Sequence, residues 1–262
     1  MHREHFPVKR VRKRREKTMK VFLNSISGID DAIVSMYMSH RTWTRELELH
    51  IYEICHMVLN SNGSLKEYDE GMAAEFEEFH NWFEKLLKWG WKHTTMLRFI
   101  DFSITVEGLH RAGQDDWDAH AKRFDNRIIR NSTRVKQSDF QYEVSAYYQN
   151  KIIPTDVAAQ TLGIQLPETM SYDGKNYVKA VNGYILEEDK DNPDVKRGLY
   201  MLSIPSNFIF KINLTEWAHV YKLRNGKSAA NPEVRQCCEM IADSLEHFHK
   251  ELNRELFEKI MN

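Results

Sequence analysis

Three polar side chains near the C-terminal end of the chain are of types that can bind a ligand. Asn213 is followed six positions later by His219 and eleven positions later by Arg224. A carboxamide and an imidazole can form hydrogen bonds with a ligand, and the planar guanidinium fork suits phosphate oxygens.

The surrounding sequence predicts a strand followed by a capped helix. Phe208–Ile212 is a short run of aromatic and β-branched residues, which is typical of a strand. The side-chain oxygen of Asn213 can then accept a backbone N–H of the first helical turn, and Glu216 three residues later can complete a capping box. Apolar residues at helical spacing would face the core, namely Leu214, Trp217, Ala218 and Tyr221. His219 and Arg224 remain as polar groups.

This pattern resembles the C-terminal half of the flavin-dependent thymidylate synthases. In that family the asparagine and the polar residue six positions later contact FAD, and the arginine binds the phosphate of the nucleotide substrate. The resemblance assigns Asn213 and His219 to FAD and Arg224 to the nucleotide. The segment Asn231–Arg235 is similar to the one that opens the family's last long helix, and here a long helix is predicted over 232–260.

A second match lies before the strand predicted at Phe99–Val106. His93-Thr94-Thr95-Met96 resembles the family's His-Glu-Thr-Pro, in which the threonine contacts the flavin. The alternative is an ordinary turn from helix to strand, in which Thr95 has no functional role. Because the match stands in the same order along the chain as in the family, we expect Thr95 to contact FAD.

The family signature is Arg-His-Arg, two residues, Ser, one residue, Asn-Glu, one residue, Ser, one residue, Arg, and it has a partial counterpart here. Asn126–Ile128 resembles the His-Arg-Ile portion, and Ser132–Arg134 resembles the closing Ser-x-Arg. The resemblance places Arg127 at the flavin or the substrate phosphate, and Ser132 and Arg134 at the nucleotide, where Ser132 would orient the substrate. The first Arg, the His and the Glu of the signature have no counterpart, and the arginines of this region could alternatively form a solvated helix face.

Composition limits the class of protein. A chain of 262 residues with 42% hydrophobic and 29% charged residues is long enough for one sizeable core. The net charge of −1 does not indicate binding to nucleic acid or to a membrane surface. No apolar run approaches the ~20 residues that span a membrane. The three cysteines form no CxxC pair, and their number suits a reducing compartment, so we expect a cytoplasmic location.

Metal binding is not expected. The stretch His110–His120 contains metal-ligand residue types, but their spacing matches no metal template, and a solvated start of a helix is the expected structure.

The resemblance implies an α+β fold, with a mixed sheet flanked by long helices. We expect residues 1–18 to be a basic, disordered extension and residues 19–262 to form a single domain. A segment at about 137–195 would be an insertion, either a loop or a small β excursion that covers the substrate. The family also implies a homotetramer with active sites between subunits.

The expected activity follows from the same resemblance. It is FAD-dependent transfer of a one-carbon unit from methylenetetrahydrofolate to C5 of dUMP, with NADPH as the reductant. The protein would need no cysteine nucleophile, because the cofactor performs the difficult chemistry. Two alternatives remain open: a pyrimidine deoxynucleotide hydroxymethylase, and a non-catalytic nucleotide-binding relative of the same fold.

Overall fold

The computed structural model describes residues 18–118, 127–130, 144–148, 151–192, 195–196, 198–225 and 231–262. Within these residues the strands are β1 Lys20–Ser27, β2 Asp101–His110, β3 Arg127–Arg130, β4 Thr169–Tyr172, β5 Lys175–Ala180, β6 Gly183–Leu186 and β7 Pro205–Asn213. The α-helices are α1 Ile29–Ser39, α2 Arg45–Val58, α3 Ala73–Gly90, α4 Arg111–Asp118, α5 Thr155–Thr161, α6 Leu214–Asn225, α7 Pro232–Phe248 and α8 Arg254–Met261. The 3-10 helices are Glu70–Met72, Met96–Phe99, Ala146–Tyr148 and Glu187–Asp189.

The main sheet has four strands in the order β1-β2-β7-β3. All its strand pairs are antiparallel, whereas the expected sheet was mixed. The reason is the long connection through α1, α2 and α3, which returns the chain to the end of the sheet where β1 finishes. Ser27 at the end of β1 is therefore paired with Asp101 at the start of β2. The α+β class itself is confirmed.

One face of this sheet forms the hydrophobic core with the helices. Alternate residues of β2 and β7 are buried, as expected for strands with one covered face. Trp117 of α4 is fully buried and contacts Phe208 and Phe210 of β7 and Trp217 of α6, with ring centroids 5.4 to 6.3 Å apart. Trp217 in turn contacts Phe257 of α8. These aromatic contacts fix α4, α6 and α8 relative to the sheet.

The opposite face of the sheet carries a row of one residue from each strand, three of them apolar. Phe22 of β1 lies opposite Thr105 of β2, which lies opposite Ile209 of β7, which lies opposite Ile129 of β3. Phe22, Ile209 and Ile129 are 46%, 43% and 74% exposed. We call these four residues the sheet-face row.

Two predicted boundaries were wrong. The helix predicted over 232–260 is divided into α7 and α8, because His249 has extended backbone and Asn253 caps a new helix by accepting the N–H of Leu256. The strand predicted to begin at Phe99 begins at Asp101, since Met96–Phe99 forms a 3-10 helix.

The region expected as an insertion holds α5 and a separate antiparallel sheet in the order β4-β5-β6. Asp173 and Gly174 join the first two of these strands, both with positive φ, as a tight hairpin turn requires. The basic residues 1–17 lie outside the described part of the chain.

Candidate functional site

Asn213 is the last residue of β7 and caps α6, as its sequence context predicts. Its Oδ1 accepts the backbone N–H of Glu216 at 3.0 Å and the hydroxyl of Thr215 at 2.6 Å. The side chain is buried, with 6% of its surface exposed. Among the residues that the structure describes, no hydrogen bond engages Nδ2 of Asn213. One end of the carboxamide is thus fixed by the helix, and the other is available to a ligand.

Thr95 lies in the turn that brings the chain to the start of β2. It is exposed, and it precedes the 3-10 helix Met96–Phe99 without forming a capping hydrogen bond through its side chain. This short helix packs against α6 and β7. The carbonyl of Ile100 accepts the N–H of Leu214 at 2.9 Å, and Asp101 is paired with Asn213. The structure therefore brings the turn of Thr95 to the N-terminal end of α6, where Asn213 lies.

His219 occupies the middle of α6. The side chain is half-buried, between the buried residues Ala218 and Val220. Its position is about 9 Å along the helix axis from the cap residue Asn213, at 1.5 Å per residue. His219 thus belongs to the same helix as the cap but does not lie beside it.

Arg224 lies in the last turn of α6, about 15 Å along the axis from the first residue of the helix. Its Nη2 donates a hydrogen bond to the backbone carbonyl oxygen of Asp116 in α4. Its Nε is buried and has no hydrogen-bond partner among the described residues. The structure therefore separates Arg224, the predicted phosphate-binding residue, from the predicted flavin residue Asn213 by most of a helix length, whereas His219 lies between them.

The remaining predicted residues are only partly covered by the structure. The backbone of Arg127 begins β3 and pairs with Lys211 of β7, two residues before Asn213. Ser132 and Arg134 lie outside the described residues. Arg130, at the other end of β3, binds Asp115 of α4 at 2.7 Å.

A buried polar network beside α4 was not found by sequence reasoning. His110, which was expected at a solvated start of a helix, ends β2 and is 1% exposed. It forms a hydrogen bond through Nδ1 with the carboxylate of Glu233, which also accepts the hydroxyl of Ser145 at 3.0 Å. The only signal in the sequence was local: Glu233 follows Asn231-Pro232, which marks the start of a helix.

The cysteines are not suited to nucleophilic catalysis. Cys55, Cys237 and Cys238 are all buried. Burial raises the pKa of the Cys55 thiol to about 12, and it also raises the pKa of Cys237 and of Cys238. Since the thiolate is the reactive form, these thiols are inert at neutral pH.

The described residues contain no group of three or more His, Cys, Asp or Glu side chains that could hold a metal ion. None of the helices in the described ranges is both long enough and apolar enough to cross a membrane.

Comparison with solved structures identifies the fold. A crystal structure of thymidylate synthase X (ThyX) from Helicobacter pylori with FAD and dUMP matches 93% of this chain and 99% of its own, with 15% identity and a TM-score of 0.52. Another crystal structure of flavin-dependent thymidylate synthase ThyX from Helicobacter pylori, complexed with FAD and dUMP, matches 92% of this chain and 99% of its own, with 14% identity and a TM-score of 0.49. At such identities the first of these structures shows that the fold is ThyX-like.

Comparison of sequences gives the family. No curated protein sequence matches the chain. The family model described as thymidylate synthase complementing protein matches residues 40–249, a range that contains every site residue predicted above. Since this range is well over half of the sequence, the chain belongs to the thymidylate synthase complementing protein (ThyX) family.

Proposed function

We propose that this protein is a flavin-dependent thymidylate synthase, which transfers a one-carbon unit from methylenetetrahydrofolate to C5 of dUMP. The observation that carries the proposal is the family match over residues 40–249. The Helicobacter pylori ThyX structure with the same fold contains FAD and dUMP, which supports these two molecules as ligands of this chain. The chemistry that FAD supplies when bound is carriage of the one-carbon unit and of reducing electrons, which NADPH would replenish.

The geometry of Arg224 fits the phosphate of a nucleotide. One nitrogen of its guanidinium is held by the Asp116 carbonyl, so the fork has a fixed orientation. Its buried Nε lacks a hydrogen-bond partner in the described part of the chain, and such a donor costs free energy until a ligand satisfies it. A phosphate oxygen supplies a charged acceptor for this donor. We assign Ser132 and Arg134 to the same nucleotide, with Ser132 orienting it.

The group at the N-terminal end of α6 fits a polar part of FAD. Nδ2 of Asn213 is held in place by the cap that its own Oδ1 forms, so this donor is preorganised. The exposed hydroxyl of Thr95 lies on the turn that packs against the same helix. We assign Thr95 and Asn213 to FAD, together with His219 and Arg127.

The sheet-face row supports self-association, as one interface of the proposed homotetramer. Phe22, Ile209 and Ile129 are aligned across the sheet and are 43% to 74% exposed, so water contacts apolar side chains on three of its four strands. A two-fold axis would pack this strip against the same strip of a second copy, which makes the interface self-complementary. Burial of each large apolar side chain in this interface would contribute about 1.5–3 kcal/mol of transfer free energy to association.

The departure from the family signature favours a second candidate. The chain lacks the first Arg, the His and the Glu of the signature, so the site around the nucleotide differs from that of the family. A one-carbon transfer that ends in a hydroxymethyl group uses dUMP and methylenetetrahydrofolate with water in place of the final hydride, and it releases tetrahydrofolate. Loss of catalysis with retention of nucleotide binding is the third outcome to be tested.

The first experiment is an absorbance titration of the purified protein with FAD, followed by dUMP. Perturbed flavin bands that respond to dUMP support the synthase proposal. Mass spectrometry of the nucleotide after incubation with methylenetetrahydrofolate and NADPH then separates dTMP from hydroxymethyl-dUMP. Binding of dUMP without FAD would point to the non-catalytic relative, and absence of both would contradict the proposal.

A further inference from the structure

A buried hydrogen-bonded network joins three parts of the chain that lie far apart in sequence. The carboxylate of Glu233, at the start of α7, accepts hydrogen bonds from Nδ1 of His110 at the end of β2 and from the hydroxyl of Ser145. Glu233 is 3% exposed, and His110 and Ser145 are each 1% exposed. A carboxylate and an imidazole so deeply buried must be held in a specific geometry, because neither has water as an alternative partner.

A second set of contacts closes the network into a ring. Tyr148 packs edge-on against the imidazole of His110, with ring centroids 5.1 Å apart. The hydroxyl of Tyr148 accepts a hydrogen bond from Nδ2 of Asn231 at 3.2 Å, and Oδ1 of Asn231 accepts the N–H of Glu233 at 2.9 Å. The cap of α7 is therefore part of the same structure that holds His110.

Helix α4 rests directly on this network. A Cβ atom placed on Gly113 would lie 2.7 Å from Cε1 of His110 and 3.0 Å from Cγ2 of Val234. Only a glycine permits such a close approach, so the first turn of α4 packs directly against the imidazole and against α7. Three residues after Gly113, the carbonyl of Asp116 accepts the guanidinium of Arg224.

We propose that the His110–Glu233–Ser145 network positions Arg224 for the nucleotide, acting through α4 and the carbonyl of Asp116. The inference rests on the proposed function, in which Arg224 binds the phosphate of dUMP. Stability alone does not explain the network, because an apolar trio of the same volume would serve a core as well or better. The hydrogen bonds of the network hold the imidazole against which Gly113 of α4 packs, and the position of α4 determines where the guanidinium fork points.

The test is a double-mutant cycle between the network and Arg224, read as the dissociation constant for dUMP in the presence of saturating FAD. His110→Phe keeps an aromatic ring beneath Gly113 but removes the hydrogen bond to Glu233. We expect it to raise the Kd for dUMP about tenfold and to leave the Kd for FAD unchanged. In an Arg224→Ala background the same substitution should change the Kd for dUMP less than about twofold, because the group that it misplaces is absent.

Three further variants separate positioning from general damage. His110→Gln keeps an N–H donor and should retain most of the affinity for dUMP. Ser145→Ala removes one hydrogen bond with little change in volume, and it replaces His110→Phe if that variant does not fold. Its matched control is Ser203→Ala, a buried serine whose hydroxyl has no hydrogen-bond partner in the described ranges and whose loss should leave the Kd for dUMP unchanged.

The outcomes distinguish this inference from the proposed function. Equal losses of dUMP affinity from the network variants in both backgrounds would overturn the positioning role while leaving Arg224 as the phosphate ligand. A parallel loss of FAD affinity would likewise overturn it, since general damage to the fold affects both sites. A wild-type protein that binds no dUMP would contradict the proposed function, and the inference with it.

Discussion

The guanidinium of Arg224 donates a hydrogen bond to the backbone carbonyl of Asp116, which ties the last turn of α6 to α4. A main-chain acceptor cannot be removed by substitution, so the orientation of this arginine depends on the position of a whole helix. Nε is buried beside it without a hydrogen-bond partner among the residues described. The arrangement leaves one donor of the guanidinium without a hydrogen bond to the described residues, which is why we assign this arginine to a ligand.

Replacing Arg224 by lysine tests this assignment. Lysine keeps the charge but has all its donors on one nitrogen, so it loses the spaced planar fork that lets one nitrogen bind the Asp116 carbonyl and another a phosphate oxygen. We expect the Kd for dUMP to rise about tenfold to a hundredfold, corresponding to about 1.5–3 kcal/mol for charge-assisted hydrogen bonds. Isothermal titration calorimetry with dUMP measures the Kd of the wild type and of the variant.

The matched control lies on the same helix. Lys222 is exposed and donates to the carbonyl of Met261 at 3.1 Å, away from Asp116. Lys222→Ala also removes one positive charge, and it should leave the affinity for dUMP within about twofold of the wild type, since exposed charges contribute little. Equal losses in the two variants would mean that only the overall charge of α6 matters.

Two substitutions of Asn213 separate its structural role from its proposed ligand role. Asn213→Ala removes the helix cap and should lower the free energy of unfolding by about 1 kcal/mol. Asn213→Ser keeps an oxygen that can cap α6 and should retain most of that stability, but it lacks the Nδ2 donor.

The readouts are urea unfolding and a flavin absorbance titration. If Nδ2 binds FAD, both Asn213 variants lose flavin affinity although only the alanine variant loses stability. An Asn213→Ser variant with unchanged affinity for FAD would show that Asn213 only caps α6.

Local patterns predicted the parts of the fold that depend on local physics. The cap at Asn213 was predicted correctly, because capping requires only a side-chain oxygen and a backbone N–H three residues later. The break after α7 could not be predicted from local sequence. The backbone at His249 is extended, and its side chain donates a hydrogen bond to the carbonyl of Gly63, which is distant in sequence. Apolar periodicity alone would continue the helix.

The same difference between local patterns and contacts distant in sequence applies to the candidate site. The placement of Asn213 at the start of α6, and of His219 and Arg224 within it, could be predicted from local patterns, while their roles as ligand-binding residues stay predictions. The link between His110 and Glu233 spans 123 positions, and nothing local in the sequence distinguishes a buried histidine at a strand end from a solvated one. Pairing of this kind depends on how α7 packs on the sheet, which single-sequence patterns do not specify.

The sheet-face row gives a prediction about assembly. The double variant Ile129→Lys, Ile209→Lys places charges at two adjacent positions of the row, one on the edge strand β3 and one on β7, where their desolvation opposes association. We expect the assembly to dissociate into smaller species, measured by light scattering after size-exclusion chromatography. The control is Leu162→Lys, an exposed apolar residue next to α5 and away from this row, which should leave the mass unchanged. A double variant with the wild-type mass would exclude this face as an interface.

The buried imidazole of His249 predicts a loss of stability in mild acid. Its Nε2 donates to the carbonyl of Gly63 at 2.7 Å, and its Nδ1 is buried without a hydrogen-bond partner in the described part of the chain. Burial lowers the pKa of His249 below its ordinary value of 6.5, against smaller opposing effects of the Gly63 hydrogen bond and of Glu251. Between the folded and unfolded pKa values the unfolded chain binds more protons, so the free energy of unfolding decreases as the pH falls below 6.5.

Urea unfolding at pH 7 and pH 5 tests this dependence. His249→Gln keeps an N–H donor for the Gly63 carbonyl but has no group that titrates, so its unfolding midpoint should fall less between the two pH values than that of the wild type. His56→Gln removes an exposed histidine of α2 instead and should retain the wild-type pH dependence. An equal acid-induced loss of stability in the wild type and in His249→Gln would contradict this prediction. It would show that groups other than His249 cause the acid sensitivity.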